Sequence, residues 1–207
     1  MMNSNVSICI LDYGSGNVAS VRNTFESLGF SAVVSNLTED MKKSTHLVLP
    51  GVGAFGASMK SIEANIPLDS MQNEILKGKP FLGICVGMQV LATKGLENGE
   101  HAGLDLLPGT VVRFSALSVP VPHVGWNDLS LHSNNPLFFG LDEESDFYFV
   151  HAYHMVPDQS DLILATTNYE VNFVSAVCKD NVFGVQFHPE KSQKSGRRLL
   201  TNFAGLH

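Results

Sequence analysis

One cysteine stands between two glycines in Phe81-Leu82-Gly83-Ile84-Cys85-Val86-Gly87-Met88-Gln89, where an apolar strand-like run gives way to a helix-like one. No other feature limits the fold as much, because this is the pattern of a nucleophile elbow. At the apex of a tight strand-to-helix turn a side chain stands clear of its own backbone, and strand and helix approach so closely that only glycine fits two residues before and two after it. The first turn of the following helix adds unpaired N–H groups and the positive end of a dipole. Both lower a thiol's pKa and can hold a developing oxyanion. A lone cysteine is more often a small buried hydrophobe, so a catalytic reading of Cys85 needs a base elsewhere in the chain.

The stretch Val182-Phe183-Gly184-Val185-Gln186-Phe187-His188-Pro189-Glu190-Lys191-Ser192 supplies one. A free thiol titrates near a pKa of about 8.5 and is only slightly ionised at neutral pH, so a nucleophilic cysteine depends on a neighbouring base. Gly184 to Phe187 read as a strand with His188 and Glu190 just beyond its end. His188 can take the thiol proton, and Glu190 can orient the imidazole and stabilise its charged form. In an extended chain the two alternate around Pro189 and face the same side.

The rest of the chain alternates in its first half. Val6 to Leu11 reads as a buried strand, and Val18, Val21, Phe25 and Leu28 recur at helical spacing from about Asn17 to Leu28. Strands are expected at Phe30 to Ser35, His46 to Leu49 and Pro80 to Ile84, with helices near Ala54 to Glu63 and Leu68 to Leu76. After Gly109 the texture changes to short strands: Thr110 to Phe114, Asp146 to Val150, Leu162 to Thr166, Ser175 to Lys179 and Val182 to Phe187. Asp180-Asn181 signals a hairpin between the last two, and Lys194 to Phe203 closes the chain as a helix. The fold class expected is α/β, a doubly wound, mainly parallel sheet with antiparallel additions in the C-terminal half, formed by residues 1–207 as one domain. With 207 residues, 44% of them hydrophobic and 16% charged, the chain can bury a core of that kind without staples.

Several functions fit poorly. Gly14-Ser15-Gly16-Asn17-Val18-Ala19 and Gly51-Val52-Gly53-Ala54-Phe55-Gly56 both fit dinucleotide-type glycine loops. That fingerprint also needs an acidic residue about 20 positions on, at the end of the next strand. The strand after the first loop ends in Ser35-Asn36, and Ile66-Pro67-Leu68 interrupts the second. A formal charge of −7 without a basic run argues against nucleic acid. No apolar run is long enough for a membrane span or shaped as a cleavable signal. The odd set Cys9, Cys85 and Cys178 suits reduced thiols of the cytoplasm. No metal is expected. His151 and His154 are three apart and in an extended segment face opposite sides, and no paired-cysteine or H-E-x-x-H pattern occurs.

Pro50-Gly51-Val52-Gly53 reads instead as an oxyanion loop, a glycine-flanked turn able to present backbone N–H groups to a tetrahedral intermediate. Gln89, four residues after Cys85, lies one helical turn along on the same face, where its amide can meet an amino-acid head group.

Taken together, Pro50-Gly51-Val52-Gly53, Gly83-x-Cys85-x-Gly87 with Gln89, and His188-Pro189-Glu190 resemble the class I, or triad, glutamine amidotransferases. More narrowly, Asp12-Tyr13-Gly14-Ser15-Gly16-Asn17, Gly125-Trp126-Asn127 and Phe147-Tyr148-Phe149-Val150-His151 are similar to the glutaminase subunits of imidazole glycerol phosphate synthases. The resemblance covers nearly the whole chain. It implies a Cys85, His188, Glu190 triad without cofactor and an oxyanion hole from the N–H of Val52 or Gly53 with that of Val86. It further implies that Glu97 binds the ammonium of glutamine and that the backbone of His151, Ala152 and Tyr153 holds the carboxylate, with Ala152 where a serine or threonine is usual. The implied partner is a (β/α)8 cyclase subunit in a heterodimer, docked around Asn17, Trp126, Tyr148 and Lys191, which uses the ammonia to make imidazole glycerol phosphate and aminoimidazole carboxamide ribotide in histidine biosynthesis. Trp126, the only tryptophan, is equally explained as core.

Two rival readings remain. One is a triad glutaminase serving another synthase, for vitamin B6 or a surface sugar. The other is a hydrolytic or non-catalytic protein with a cysteine elbow, a stress protein or peptidase, which would not require His188-Pro189-Glu190 or Gln89.

Overall fold

The computed structural model describes residues 6–14, 17–115, 118–141 and 145–207. Ser15 and Gly16 of the first glycine loop lie outside the described residues. In chain order the elements of the first half are β1 (Ser7–Leu11), α1 (Val18–Ser27), β2 (Ser31–Ser35), α2 (Thr38–Lys43), β3 (His46–Gly51), α3 (Phe55–Asn65), α4 (Leu68–Leu76) and β4 (Phe81–Cys85). There follow α5 (Val86–Gln89), β5 (Ala92–Gly95), β6 (His101–Ala102), β7 (Leu107–Arg113), β8 (His123–Asp128) and β9 (Ser130–Leu131). The last are β10 (Asp146–His151), β11 (Tyr153–Pro157), β12 (Ile163–Tyr169), β13 (Val171–Lys179), β14 (Val182–Val185) and α6 (Gln193–Ala204).

The main sheet runs β2-β1-β3-β4-β14-β13-β12-β9. Its first five strands are parallel and its last three antiparallel, so the expected α/β sheet with C-terminal antiparallel additions is what forms. The central strands β3 and β4 are buried at every position, as expected for parallel strands covered on both faces. Two smaller antiparallel-containing sheets, β10-β8 and β11-β7-β5-β6, flank the site end. Asp180, at φ +53°, turns the β13–β14 hairpin where the sequence signalled one.

The helix after the elbow is shorter than expected. α5 is a single turn of four residues, so its N–H groups rather than a summed macrodipole are what it offers to an anion. Among the described residues, no helix is long and apolar enough to cross a membrane.

His46, at the start of β3, is 1% exposed and holds the C-terminal Leu206 carbonyl at 3.1 Å. Burial lowers its pKa from 6.5 to about 4. A lowered base stabilises the fold above its ordinary value and loses that contribution as the pH falls toward the folded value. The unfolding midpoint should therefore drop between pH 6.5 and 4, and less steeply in His46→Gln. Equal slopes in the two proteins would contradict this assignment.

Candidate active site

Parallel register places Gly51, the last residue of β3, beside Cys85, the last residue of β4. β14 lies on the other side of β4, with Val185 opposite Ile84, so the carboxyl ends of three neighbouring strands meet at one place. The backbone at Cys85 is strained there, φ +55° and ψ −112°. Such a conformation costs of order 1–3 kcal/mol and persists only where the surroundings impose it. The imposing contacts are backbone to backbone. A Cβ on Gly83 would lie 2.7 Å from the Gly87 carbonyl carbon, one on Gly87 would collide with the Leu49 carbonyl oxygen, and one on Gly51 would lie 2.7 Å from the Gly87 nitrogen. The glycines of the elbow and of the oxyanion loop are therefore one packing unit.

His188 is fully buried, and Cys85 is 3% exposed. The His188 backbone is fixed by donation to the Tyr148 carbonyl at 2.9 Å and by the Ser192 hydroxyl on its own carbonyl at 2.6 Å. His188 and Glu190 meet as expected, but not by extended alternation. Pro189–Lys191 form a 3-10 turn, and it is this turn that folds Glu190 back so that Oε1 lies 2.7 Å from His188 Nδ1. The same oxygen accepts from Asn17 Nδ2. With Nδ1–H given to the carboxylate, Nε2 is the nitrogen left to carry a proton toward Cys85. Burial opposes the charged imidazole, but the Cys85 sulfur and the Glu190 carboxylate outweigh burial and push the His188 pKa up from 6.5 to about 10. At the other two cysteines, burial first and nearby carboxylates second raise the thiol pKa to about 12 for Cys9 and about 11 for Cys178, so both stay protonated at neutral pH.

A cavity of about 250 Å³ opens over the sulfur and is lined by Val52, Gly53, Cys85, Val86, Gln89, Glu97, Val150, His151, Ala152, Tyr153 and His188. It thus collects every residue expected to attack, to form the oxyanion hole or to bind substrate, with Glu190 behind His188. Gly53 has φ +104°, a backbone state that glycine alone adopts readily. The Gln89 Nε2 donates to the Tyr153 carbonyl at 2.9 Å and to Gln186 Oε1 at 3.0 Å. Both amide hydrogens are spent, so the group Gln89 has left to offer a ligand is its oxygen, an acceptor suited to an ammonium. Glu97 sits in the β5–β6 hairpin, where its Oε2 accepts from Phe55 N at 2.7 Å at the start of α3.

His151 and His154 do not face opposite sides. Ala152 interrupts the strand between β10 and β11, and both rings pack on Phe114, at 5.0 and 4.8 Å between centroids. Among the described residues no group of three or more His, Cys, Asp or Glu could hold a metal ion.

The expected docking residues lie beside this cavity. β8 and β10 form a two-stranded ribbon pairing Trp126 with Tyr148 and Val124 with Val150. Trp126 is 43% exposed, so the core explanation for it fails. Its ring meets Tyr148 edge-on at 5.9 Å, and Lys191 Nζ lies 5.8 Å from the Tyr148 ring. Asn17, at the N-terminus of α1, is 7% exposed and engaged with Glu190. Two residues carry contacts that the sequence reading did not assign: Asn17 on Glu190, and Gln186, whose Nε2 lies 3.7 Å from Cys85 Sγ. Gln186 had a visible signal, a polar residue inside the apolar run Val182 to Phe187.

Comparison with known proteins agrees with this geometry. The family profile of glutamine amidotransferase class-I matches residues 9–205. A protein of Aquifex aeolicus named imidazole glycerol phosphate synthase subunit HisH is 47% identical over 195 residues, covering 94% of each chain. One of Syntrophotalea carbinolica with the same name is 43% identical over 205 residues, covering 96% of this chain and 100% of its own. Among solved structures, PurLQS from Thermotoga maritima aligns with a TM-score of 0.75 at 19% identity, covering 97% of this chain and 98% of that one. A glutamine amidotransferase of the same organism gives 0.66 at 15%, covering 97% and 83%. The chain belongs to the class-I glutamine amidotransferase family.

Proposed function

We propose that the chain is the glutaminase of an imidazole glycerol phosphate synthase, acting in the cytoplasm in a heterodimer with a (β/α)8 cyclase. The single observation that carries the chemistry is the cavity that Cys85, His188 and Gln89 line together, with Glu190 bound to the far side of the imidazole. The partner reading is supported by near-full-length relatives named as subunits of that synthase. Within it the whole chain works as one amidotransferase domain.

With its proton already on His188 Nε2, Cys85 Sγ attacks the side-chain amide carbon of glutamine. The carbonyl oxygen becomes an oxyanion held by the N–H of Val52 or Gly53 and that of Val86. His188 then protonates the leaving nitrogen, and ammonia departs as the C–N bond breaks. Water, deprotonated by His188, attacks the glutamyl thioester, the C–S bond breaks, and glutamate leaves. Glutamine is held at its ammonium by Glu97 and Gln89, and at its carboxylate by the backbone from His151 to Tyr153, with Ala152 contributing no hydroxyl. The ribbon bearing Trp126, Tyr148 and Val150 is the docking face, since Val150 belongs both to it and to the cavity. Ammonia released there leaves directly toward a partner seated on that face.

Two substitutions separate orientation from binding. Glu190→Gln should lower kcat by about 10²–10⁴-fold with little change in KM, because the bond to the imidazole strengthens as the charge forms. Glu97→Ala should mainly raise KM, with a stability loss of about 1 kcal/mol for the freed N–H at the start of α3. A KM effect confined to Glu190→Gln would reverse the two roles.

A chain that makes ammonia without an acceptor site of its own wastes glutamine unless the partner gates it. Glutamate release should be slow for the chain alone and rise at least about tenfold with the cyclase and its acceptor nucleotide, a coupling within the usual range of allosteric effects. Equal turnover with and without partner would overturn the gating. Activation by a vitamin B6 synthase instead would move the assignment to that pathway.

A further inference from the structure

Gln186 has no part in the reaction described above, yet it is fully buried, and its amide nitrogen is the polar group that reaches the nucleophile from behind, 3.7 Å from Sγ. We propose that Gln186 is a positioning residue for Cys85, donating an N–H to the sulfur, so that the side chain is held for attack and the sulfur anion is stabilised whenever the reaction forms it. The inference rests on the glutaminase reading for the identity of the nucleophile.

Which end of the Gln186 amide faces the sulfur follows from an acceptor that has no alternative. The Tyr153 backbone carbonyl can only accept, so the group of Gln89 lying 2.9 Å from it is the NH2 end. The second hydrogen of that NH2 points to Gln186 at 3.0 Å, so Gln186 presents its oxygen there. Its own NH2 end is thereby left for Cys85. The same carbonyl takes a bond from His151 Nδ1 at 2.9 Å, so the His151 Nε2 is the acceptor for His123 Nδ1 at 3.2 Å. Burial lowers the pKa of both imidazoles, to about 4 for His123 and about 3 for His151, so neither changes charge near neutrality. The orientation of Gln186 is built into a buried network and does not depend on substrate.

The backbone supports the same aim. Gln186 N donates to the Ser175 carbonyl at 2.9 Å just beyond β14, and the intervening Phe187 is buried against Phe147 at 4.2 Å. Gln186 and His188, on either side of that ring, are the two residues of the segment that reach Cys85. Gln186 does not line the cavity, so it acts on the sulfur rather than on glutamine.

An N–H donor binds a sulfur anion more strongly than a thiol. The anion arises twice: when the Sγ proton has moved to His188 Nε2, and when the water adduct of the thioester collapses and the electron pair of the broken C–S bond returns to sulfur. One N–H serves both moments. The other ionisable groups facing the thiol are His188, His151, Glu97 and Tyr153 in the cavity, with Glu190 behind His188.

The test is alkylation of Cys85 by iodoacetamide in the full chain, followed by mass spectrometry across pH, for wild type and Gln186→Met. The variant keeps length and volume but has no donor. Its alkylation profile should move up by about one pH unit, with reaction at pH 7 slowed roughly tenfold, and the unfolding midpoint should show the fold retained. Met also removes the oxygen that accepts from Gln89 Nε2, so the readout that isolates the role at sulfur is the alkylation profile and not the KM for glutamine. Should the variant not fold, the side-chain NH2 resonances of Gln186 in the wild type serve instead: they should shift with the alkylation profile and on alkylation of Cys85. Superimposed profiles in a folded variant, or resonances indifferent to the thiol, would overturn the role of Gln186 while leaving the glutaminase reading intact. Reaction at Cys9 or Cys178 with Cys85 inert would overturn the nucleophile itself, and this inference with it.

Discussion

Cys85→Ala should abolish glutamate release, by about 10⁶-fold in kcat if the triad behaves as a unit, with the fold intact. The sulfur is the atom that bonds to the glutamyl carbon, and neither other thiol can replace it. Cys9 is fully buried, and both Cys9 and Cys178 are held protonated by burial. Cys9→Ala and Cys178→Ala should therefore keep most of the activity. Alanine meets the same backbone strain at φ +55° that cysteine does, so the loss would not be one of folding. Turnover by the Cys85→Ala chain above about a hundredth of wild type would exceed the residual rate of an intact site without its nucleophile, and the triad would have to be abandoned.

The second large effect is expected from a single methyl group. Gly87→Ala puts a Cβ into the Leu49 carbonyl oxygen, and no rotamer relieves a clash with backbone. Leu49 cannot retreat, because β3 is paired on both sides and Leu49 itself stands opposite Gly83 of β4. The strain must be relieved by parting the elbow from the oxyanion loop. Overpacking of this kind costs about 1–3 kcal/mol or more, and at about 2–4 °C per kcal/mol for a chain of this size the unfolding midpoint should fall by several degrees. Activity should fall much further than stability, because Val52, Gly53 and Val86 are displaced relative to Cys85. A Gly87→Ala protein with wild-type midpoint and turnover would contradict the packing argument.

Where the sequence was legible, local chemistry and tertiary structure demanded the same residues. Gly83 and Gly87 are readable because backbone contact excludes any side chain. The parallel strands are readable because burial on both faces makes them continuously apolar. Asp180-Asn181 announced its turn. The failures share a cause, which is that short irregular segments change direction without changing composition. The 3-10 turn at Pro189–Lys191 brings Glu190 to His188 by a route that strand periodicity does not contain. The break at Ala152 puts His151 and His154 on the same aromatic cluster. α2 has six residues and one buried side chain, Met41, too few to display a period. β5 and β6, which carry Glu97 between them, are four and two residues long. Trp126 is exposed because β8 belongs to a two-stranded ribbon with an uncovered face, and nothing in a tryptophan's neighbours reports which face that is. The legible part of the candidate site is therefore the elbow and the histidine motif, while the placement of the binding residues depends on turns.

The most direct measurement is chemical trapping. The chain is incubated with a diazo-ketone analogue of glutamine, with and without excess glutamine, then digested and mapped by mass spectrometry. The account expects one adduct, on Cys85, suppressed by glutamine and accompanied by loss of glutaminase activity, with Cys9 and Cys178 unmodified. Adduct formation on Cys9 or Cys178 while Cys85 remains free, or full activity after stoichiometric labelling of Cys85, would contradict it.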